Sequence, residues 1–200
     1  MDIERLKKQF DFILEIDKEK EIYRQTHITG YKRNENDSEH AWHMAIMTFL
    51  LAEYSNEPID VLHTIKMLLI HDLVEIDAGD TYAYDENGKK TQKQREEKAA
   101  KRIYGLLPVD QGNELMNIWK EFEEGKTCEA RFARTMDNLQ PMMLNAYNGG
   151  KDWVCHDVNI DQILKRNERT HLGSEDLWEY AKENFLKPNI EAGKIKTEDK

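Results

Sequence analysis

Cysteine is nearly absent from this 200-residue chain: Cys128 and Cys155 are the only two, and they form neither a CxxC pair nor a framework spacing. That excludes a disulfide scaffold. Proline and glycine are also scarce, at 4 and 10 residues, and the alternation of β-branched residues that marks strands is almost missing. No apolar run approaches the roughly 18 residues a membrane span requires. The start, Met1-Asp2-Ile3-Glu4-Arg5, is charged from its second residue with no signal-type segment behind it. A cytoplasmic, reduced protein with no membrane partner is expected. Clustered basic residues are missing as well. Net charge is −10, and the nearest approach to a basic patch, Lys89-Lys90, Lys93 and Arg95, is followed at once by Glu96 and Glu97. A nucleic-acid polymer is therefore not the expected partner. A small anionic substrate stays compatible, because one local cationic pocket can coexist with a negative surface.

What is present is charge and helical periodicity. Charged residues make up 34% of the chain and hydrophobic ones 39%, in a length that suits one domain with a real core. The pattern predicts an all-α fold, a single compact helical bundle over residues 1–200. Helices are expected over 2–17 (packing through Ile3, Leu6, Phe10, Ile13 and Leu14), from Asn36-Asp37-Ser38-Glu39 to about Ser55, and from Pro58 to about Asp77. Others are expected near 91–104, 109–124, 127–147, 159–171 and 174–192, with a charged tail after Lys187. Residues 18–36 read as an irregular, partly basic connection carrying Arg24, Lys32 and Arg33. Residues 82–90 read as a polar loop.

The chain is organised around Met67-Leu68-Leu69-Ile70-His71-Asp72-Leu73-Val74-Glu75. Val61, Leu62, Ile65, Leu68, Leu69, Leu73 and Ile76 recur at helical spacing. Asp72 falls on that stripe, and His71 lies about 100° round from it, on the border of the same face. A carboxylate on a buried face is costly without a positive partner. No Lys or Arg follows Lys66 on this face, so a metal cation fits. Two further groups sit on inward edges of other predicted helices. His40 shares a line with Met44, Met47 and Leu51, while His43 points elsewhere. Asp137 lies beside Phe132, Met136, Leu139 and Met143, four residues before a Pro141 that should kink its helix. Two imidazoles and two carboxylates suit one divalent transition metal, Mn, Fe, Co or Zn. Taken singly, each residue has a plainer reading, as a hydrogen-bonded core histidine or as a capping or salt-bridged aspartate. The adjacent His-Asp pair makes the metal reading the sharper one.

His40, then His71-Asp72, then Asp137 resembles the H…HD…D pattern of the HD-domain metal-dependent phosphohydrolases. The strings Asn36–His40, Leu69–Glu75 and Thr135–Leu139 look like the branch containing 5′-deoxynucleotidases, over roughly residues 5–180. The resemblance implies an all-α fold and hydrolysis of a phosphate ester by a metal-activated water. It also implies a nucleotide substrate, most readily a (deoxy)nucleoside 5′-monophosphate, and catalytic roles for Glu75 and Asp80. Arg24 matches the phosphate-gripping arginine upstream of His40, although the branch carries Trp next to that arginine and this chain has Gln25. Arg33 is the substitute candidate. Other small phosphates, cyclic or polyphosphorylated, would use the same metal ligands. A non-catalytic binding module would have no need of Glu75 and Asp80. Tyr82 and Tyr84 fit a substrate mouth or a homodimer contact equally well.

Overall fold

The computed structural model describes residues 1–85 and 87–197. Glu86 of the 82–90 loop and the last three residues of the charged tail lie outside them. Helix α1, Ile3–Ile16, is capped by Asp2, whose side chain accepts from the Arg5 backbone N–H at 3.0 Å. Its apolar stripe was expected to pack inward and does the opposite. Leu14 is 70% exposed and Ile3, Phe10 and Ile13 are more than half exposed, while only Phe12 is buried. The polar side makes the attachments instead. Arg5 pairs with both oxygens of Asp110 at 2.7 Å, Gln9 with Gln111 at 2.8 Å, and Glu15 with Arg102 at 2.8 Å.

The 18–36 connection contains the two-stranded sheet found among the described residues. Strands β1, Tyr23–His27, and β2, Asn34–Asn36, pair antiparallel. Gly30 (φ +83°) and Tyr31 (φ +59°) turn the chain between them. Such short polar strands carry no apolar alternation, so nothing local announces them. Tertiary contacts hold them: Asp152 takes the His27 backbone N–H at 3.1 Å, and Asn148 donates to the carbonyls of His27 and Ile28.

Helix α2, Asp37–Leu51, opens with a capping box in which Asn36 accepts from Glu39 N and Glu39 reaches back to Asn36 N. Helix α3, Val61–Ile70, does not run on to Asp77. It stops at Ile70, tightens into a 3₁₀ turn over His71–Val74, and resumes as α4, Glu75–Ala78, before Gly79 at φ +74°. The buried face of α3 is Thr64, Met67, Leu68 and Ile70, whereas Leu62 and Leu69 are 65% and 45% exposed. His71, four residues after Met67, therefore lies deeper than the simple stripe placed it.

Helices α5, Lys89–Tyr104, α6, Val109–Glu124, and α7, Cys128–Tyr147, follow. Gly125, left-handed at φ +59°, stops α6, and α7 continues through Pro141. Helix α8, Lys151–Cys155, was not anticipated. The 159–171 segment divides into α9, Ile160–Arg166, and a 3₁₀ turn at Thr170–Leu172. The last expected helix divides into α10, Glu175–Ala181, a π turn over Lys182–Leu186, and α11, Lys187–Glu191. The start of the tail is packed, with Ile195 buried.

Helices α2, α3 and α7 pack on one another, and α6 closes against α3 and α7. Met44, Met67, Leu68, Phe132 and Met136 are wholly buried where they meet. Each such side chain contributes about 1.5–3 kcal/mol through its removal from water. No described helix is long and apolar enough to cross a membrane.

Candidate metal centre

The packing of α2, α3 and α7 brings four predicted side chains together. One donor atom from each of His40, His71 and Asp72 lies within 4.8 Å of the other two. Asp137 Oδ1 stands 3.1 Å from His40 Nε2 and 3.9 Å from His71 Nε2, and His71 Nε2 is 3.1 Å from Asp72 Oδ1.

The far side of each imidazole fixes its tautomer. His71 Nδ1 is 2.8 Å from the Leu68 carbonyl oxygen, which can only accept. His40 Nδ1 is 2.9 Å from Gln140 Oε1. That amide is oriented by its nitrogen, which donates to Glu35 Oε1 at 2.7 Å and to His43 Nδ1 at 3.1 Å. Each Nδ1 therefore donates, and each Nε2 faces the carboxylates. His71 Nε2 is buried with no hydrogen-bond partner. His40, pulled down to about 4 by burial and then by the charge of Arg24, is neutral and faces Asp137 acceptor to acceptor.

Two acceptors opposed across 3.1 Å require a positive charge between or beside them. His71 says the same: burial opposes its protonation, yet Asp72 and Asp137 raise it well above the ordinary histidine range. The donor set thus fits a divalent cation, and its separations match neighbouring donors about 2.0–2.2 Å from one ion.

The remaining predicted groups surround the tetrad. Arg24 bridges Asp37 Oδ1 at 3.2 Å and Asp72 Oδ2 at 3.0 Å. Burial opposes its charge, but those carboxylates outweigh it and hold it firmly cationic. Its Nη2 has no acceptor among the described residues. Arg33 is placed elsewhere, because Glu39 takes both its terminal nitrogens at 2.8 and 2.6 Å on the surface. It does not line the cavity beside the tetrad. That cavity, about 210 Å³, is walled by His71, Asp72, Glu75, Asp80 and Asp137 together with Arg24, Gln25, Arg134 and Arg166. Tyr82, Tyr84, Trp153 and His156 also line it, so the tyrosines stand at the cavity rather than on an outer face. Burial, then the carboxylates of Asp72, Asp37 and Asp80, push Glu75 well above the usual carboxylate range. Asp80 is raised first by burial as well.

Sequence reasoning missed Asp37, Gln140 and Arg166. Asp37 looked like a cap, but Asn36 caps α2 and frees Asp37 to turn inward, where it is wholly buried. Gln140 had a signal, since it follows Asp137 by three residues on the same helix face. Arg166, whose Nη2 is 3.6 Å from Asp137 Oδ2, had none: it reaches the site through the packing of the Thr170–Leu172 turn, just after α9, onto Thr135 and Asn138 of α7.

The family model described as HD domain matches residues 16–178. The chain belongs to the HD-domain family. All four members of the tetrad fall inside the matched HD-domain segment. The human 5′-deoxynucleotidase HDDC2 is 32% identical over 115 residues, covering 58% of this chain and 54% of that protein. The Dictyostelium discoideum 5′-deoxynucleotidase HDDC2 is 35% identical over 124 residues, 59% of this chain and 64% of that protein. The chain thus spans little more than half the length of the curated relatives it matches. A crystal structure of a predicted metal-dependent phosphohydrolase from Magnetospirillum magnetotacticum MS-1 superposes with a TM-score of 0.92 at 44% identity, over 96% of each chain.

Proposed function

We propose that this HD-domain chain is a metal-dependent phosphohydrolase that releases phosphate from nucleoside 5′-monophosphates, with deoxyribose preferred. The observation that carries the reading is the pair of buried imidazole Nε2 atoms turned toward Asp72 and Asp137, a donor set that needs a cation, at the edge of a cavity holding further arginines. The names of the relatives and the structural neighbour point the same way.

His40, His71, Asp72 and Asp137 would hold the ion. A divalent cation there supplies Lewis-acid activation of the phosphoryl group and of the attacking water. Arg24, with Nη2 free of acceptors, and Arg166, at the rim, bind and orient the phosphate, since a guanidinium can engage two of its oxygens at once. Glu75, held protonated by burial and neighbouring carboxylates, delivers its proton to the departing 5′-oxygen. Asp80, beside it in the cavity wall, orients the water and accepts its proton. Tyr82, Tyr84 and Trp153 offer flat surfaces to the base and sugar.

The test is release of inorganic phosphate from a panel of 5′-, 3′-, cyclic and diphosphate nucleotides by the metal-loaded protein. Deoxynucleoside 5′-monophosphates should show the highest kcat/KM. Cleavage of cyclic or diphosphate nucleotides alone would overturn the substrate assignment, and no phosphate from any of them would overturn the reaction class.

A further inference from the structure

Across Asp137 from the histidines a second recess opens, about 150 Å³ in volume. Five cations line it (Arg131, Arg134, Lys165, Arg166 and Arg169) against two carboxylates. In a chain of net charge −10, this concentration of positive charge needs a physical account. Ion pairs explain part of it: Arg131 meets Glu57 at 2.5 Å, and Arg166 meets Asp137 at 3.6 Å. Arg134 and Arg169 have no carboxylate within 4 Å among the described residues.

Their contacts are with the end of α6. Arg134 Nη1 donates to the carbonyls of Phe122 at 3.0 Å and Glu123 at 3.2 Å, and Arg169 Nη2 donates to that of Gly125 at 3.3 Å. These bonds satisfy carbonyls that a helix end leaves unpaired. They use one nitrogen of each guanidinium, and each guanidinium carries five donors. Both arginines also pass close to Gly125. A Cβ built on it would lie 3.7 Å from Arg134 Nε and 3.9 Å from Arg169 Nη2. Both arginines thus border the same recess with most of their donors unspent, although Arg134 also lies over the Phe122 ring at 5.3 Å and acts on the Glu123 carboxyl. Arg134, Asp137, Asn138 and Arg166 line both this recess and the cavity of the metal centre, so the two adjoin.

We propose that the recess is a second oxyanion site that takes a phosphate group beside the metal centre without contact to the ion. Paired guanidinium groups with free donors are suited to phosphate oxygens, and Arg166 shields the anion from Asp137. Two sources present this chemistry: a second phosphoryl group on the nucleotide being hydrolysed, or free inorganic phosphate. The choice of phosphate rests on the phosphohydrolase reading; the existence of an anion site does not.

Equilibrium dialysis of the metal-loaded protein against radiolabelled inorganic phosphate tests it. Arg169→Gln should weaken phosphate binding at least tenfold, and Arg169→Lys should restore most of it. Arg134→Gln approaches the same site from α7 and should match Arg169→Gln, which guards against misfolding of either variant. Asp72→Asn, which acts on the metal centre, should leave this binding in place. If phosphate is held equally well by the wild type, Arg169→Gln and Arg134→Gln, or by none of them at millimolar concentration, the proposal fails. The sources separate in turnover. A substrate phosphate predicts that Arg169→Gln raises KM for a nucleoside 3′,5′-bisphosphate about tenfold more than for the 5′-monophosphate. Free phosphate predicts an unchanged ratio of the two and about tenfold weaker inhibition by inorganic phosphate. A protein that binds phosphate in the recess but hydrolyses no phosphomonoester would sink the proposed function and leave this site standing.

Discussion

Asp72 and Glu19 are both buried carboxylates, yet their environments drive them in opposite directions. Burial alone would raise Asp72, but His71 and Arg24 hold it down to about 2. Glu19 has only the Ser38 hydroxyl at 2.9 Å, with its other oxygen unpartnered, and burial pushes it up to about 7. The difference is cationic company. Around Asp72 the protein has assembled an arginine and two imidazoles; Glu19 has no ion-pair partner among the described residues, and the more distant charges of Asp72 and His71 act on it in opposite senses. A pocket that keeps Asp72 and Asp137 ionised while dry is arranged for positive charge, and one that lets its carboxyl take up a proton is not.

The comparison breaks most sharply if Asp72 loses its charge. Asp72→Asn keeps the shape and should lose the bound metal, with turnover falling to background and the helical circular-dichroism spectrum retained. Full metal content in that variant would remove Asp72 from the ligand set. Next in size, Glu75→Ala should keep the metal and lower kcat by roughly 10²–10⁴-fold, the range of general acid–base catalysis. Metal analysis beside the kinetics shows whether the loss is chemical or merely structural.

Arg24→Gln removes the cation that bridges Asp37 and Asp72. It should raise KM for the monophosphate and cost about 3–5 kcal/mol of stability, as breaking a buried pair does. Arg33→Ala is the surface counterpart; its exposed pair with Glu39 is worth no more than about 1 kcal/mol, and KM should not move. Urea melts and initial rates on the two variants decide this.

The smallest effect sharpens the comparison from the Glu19 side. Its folded pKa lies above the usual 4.5, so the native state holds this proton more tightly than the unfolded chain does. The associated stability is present below about pH 4.5, declines as pH rises toward 7, and is flat above. Glu19→Gln should abolish that decline, a difference on the order of 3 kcal/mol between pH 4.5 and 7.5. Equal slopes in the two proteins would show that Glu19 is not the source.

Much of the proposed centre was legible because two of its candidate ligands, His40 and Asp137, sit on long periodic helices. His40 and Asp137 lie where the apolar lines of α2 and α7 place them, and the His71-Asp72 pair sits in the most apolar stretch of the chain. What was illegible depends on contacts remote in sequence. Two neutral spacings, Leu62 and Leu69, look like core until α2 and α7 choose the other face of α3. The apolar stripe of α1 turns outward because Arg5, Gln9 and Glu15 find partners on α5 and α6. The β1–β2 hairpin and the approach of Arg166 to Asp137 are likewise set by partners more than twenty-five residues away, and no local pattern encodes them.

The central claim is that His40, His71, Asp72 and Asp137 share one ion. The most direct measurement is an anomalous-difference map from crystals of the protein loaded with Mn, Fe, Co or Zn, with data on both sides of the metal's absorption edge. A single strong peak is predicted between the Nε2 atoms of His40 and His71, about 2.0–2.2 Å from each and in contact with Asp72 and Asp137. A peak held by Asp37, Glu75 and Asp80 alone, with His40 and His71 still facing the carboxylates unliganded, would contradict it.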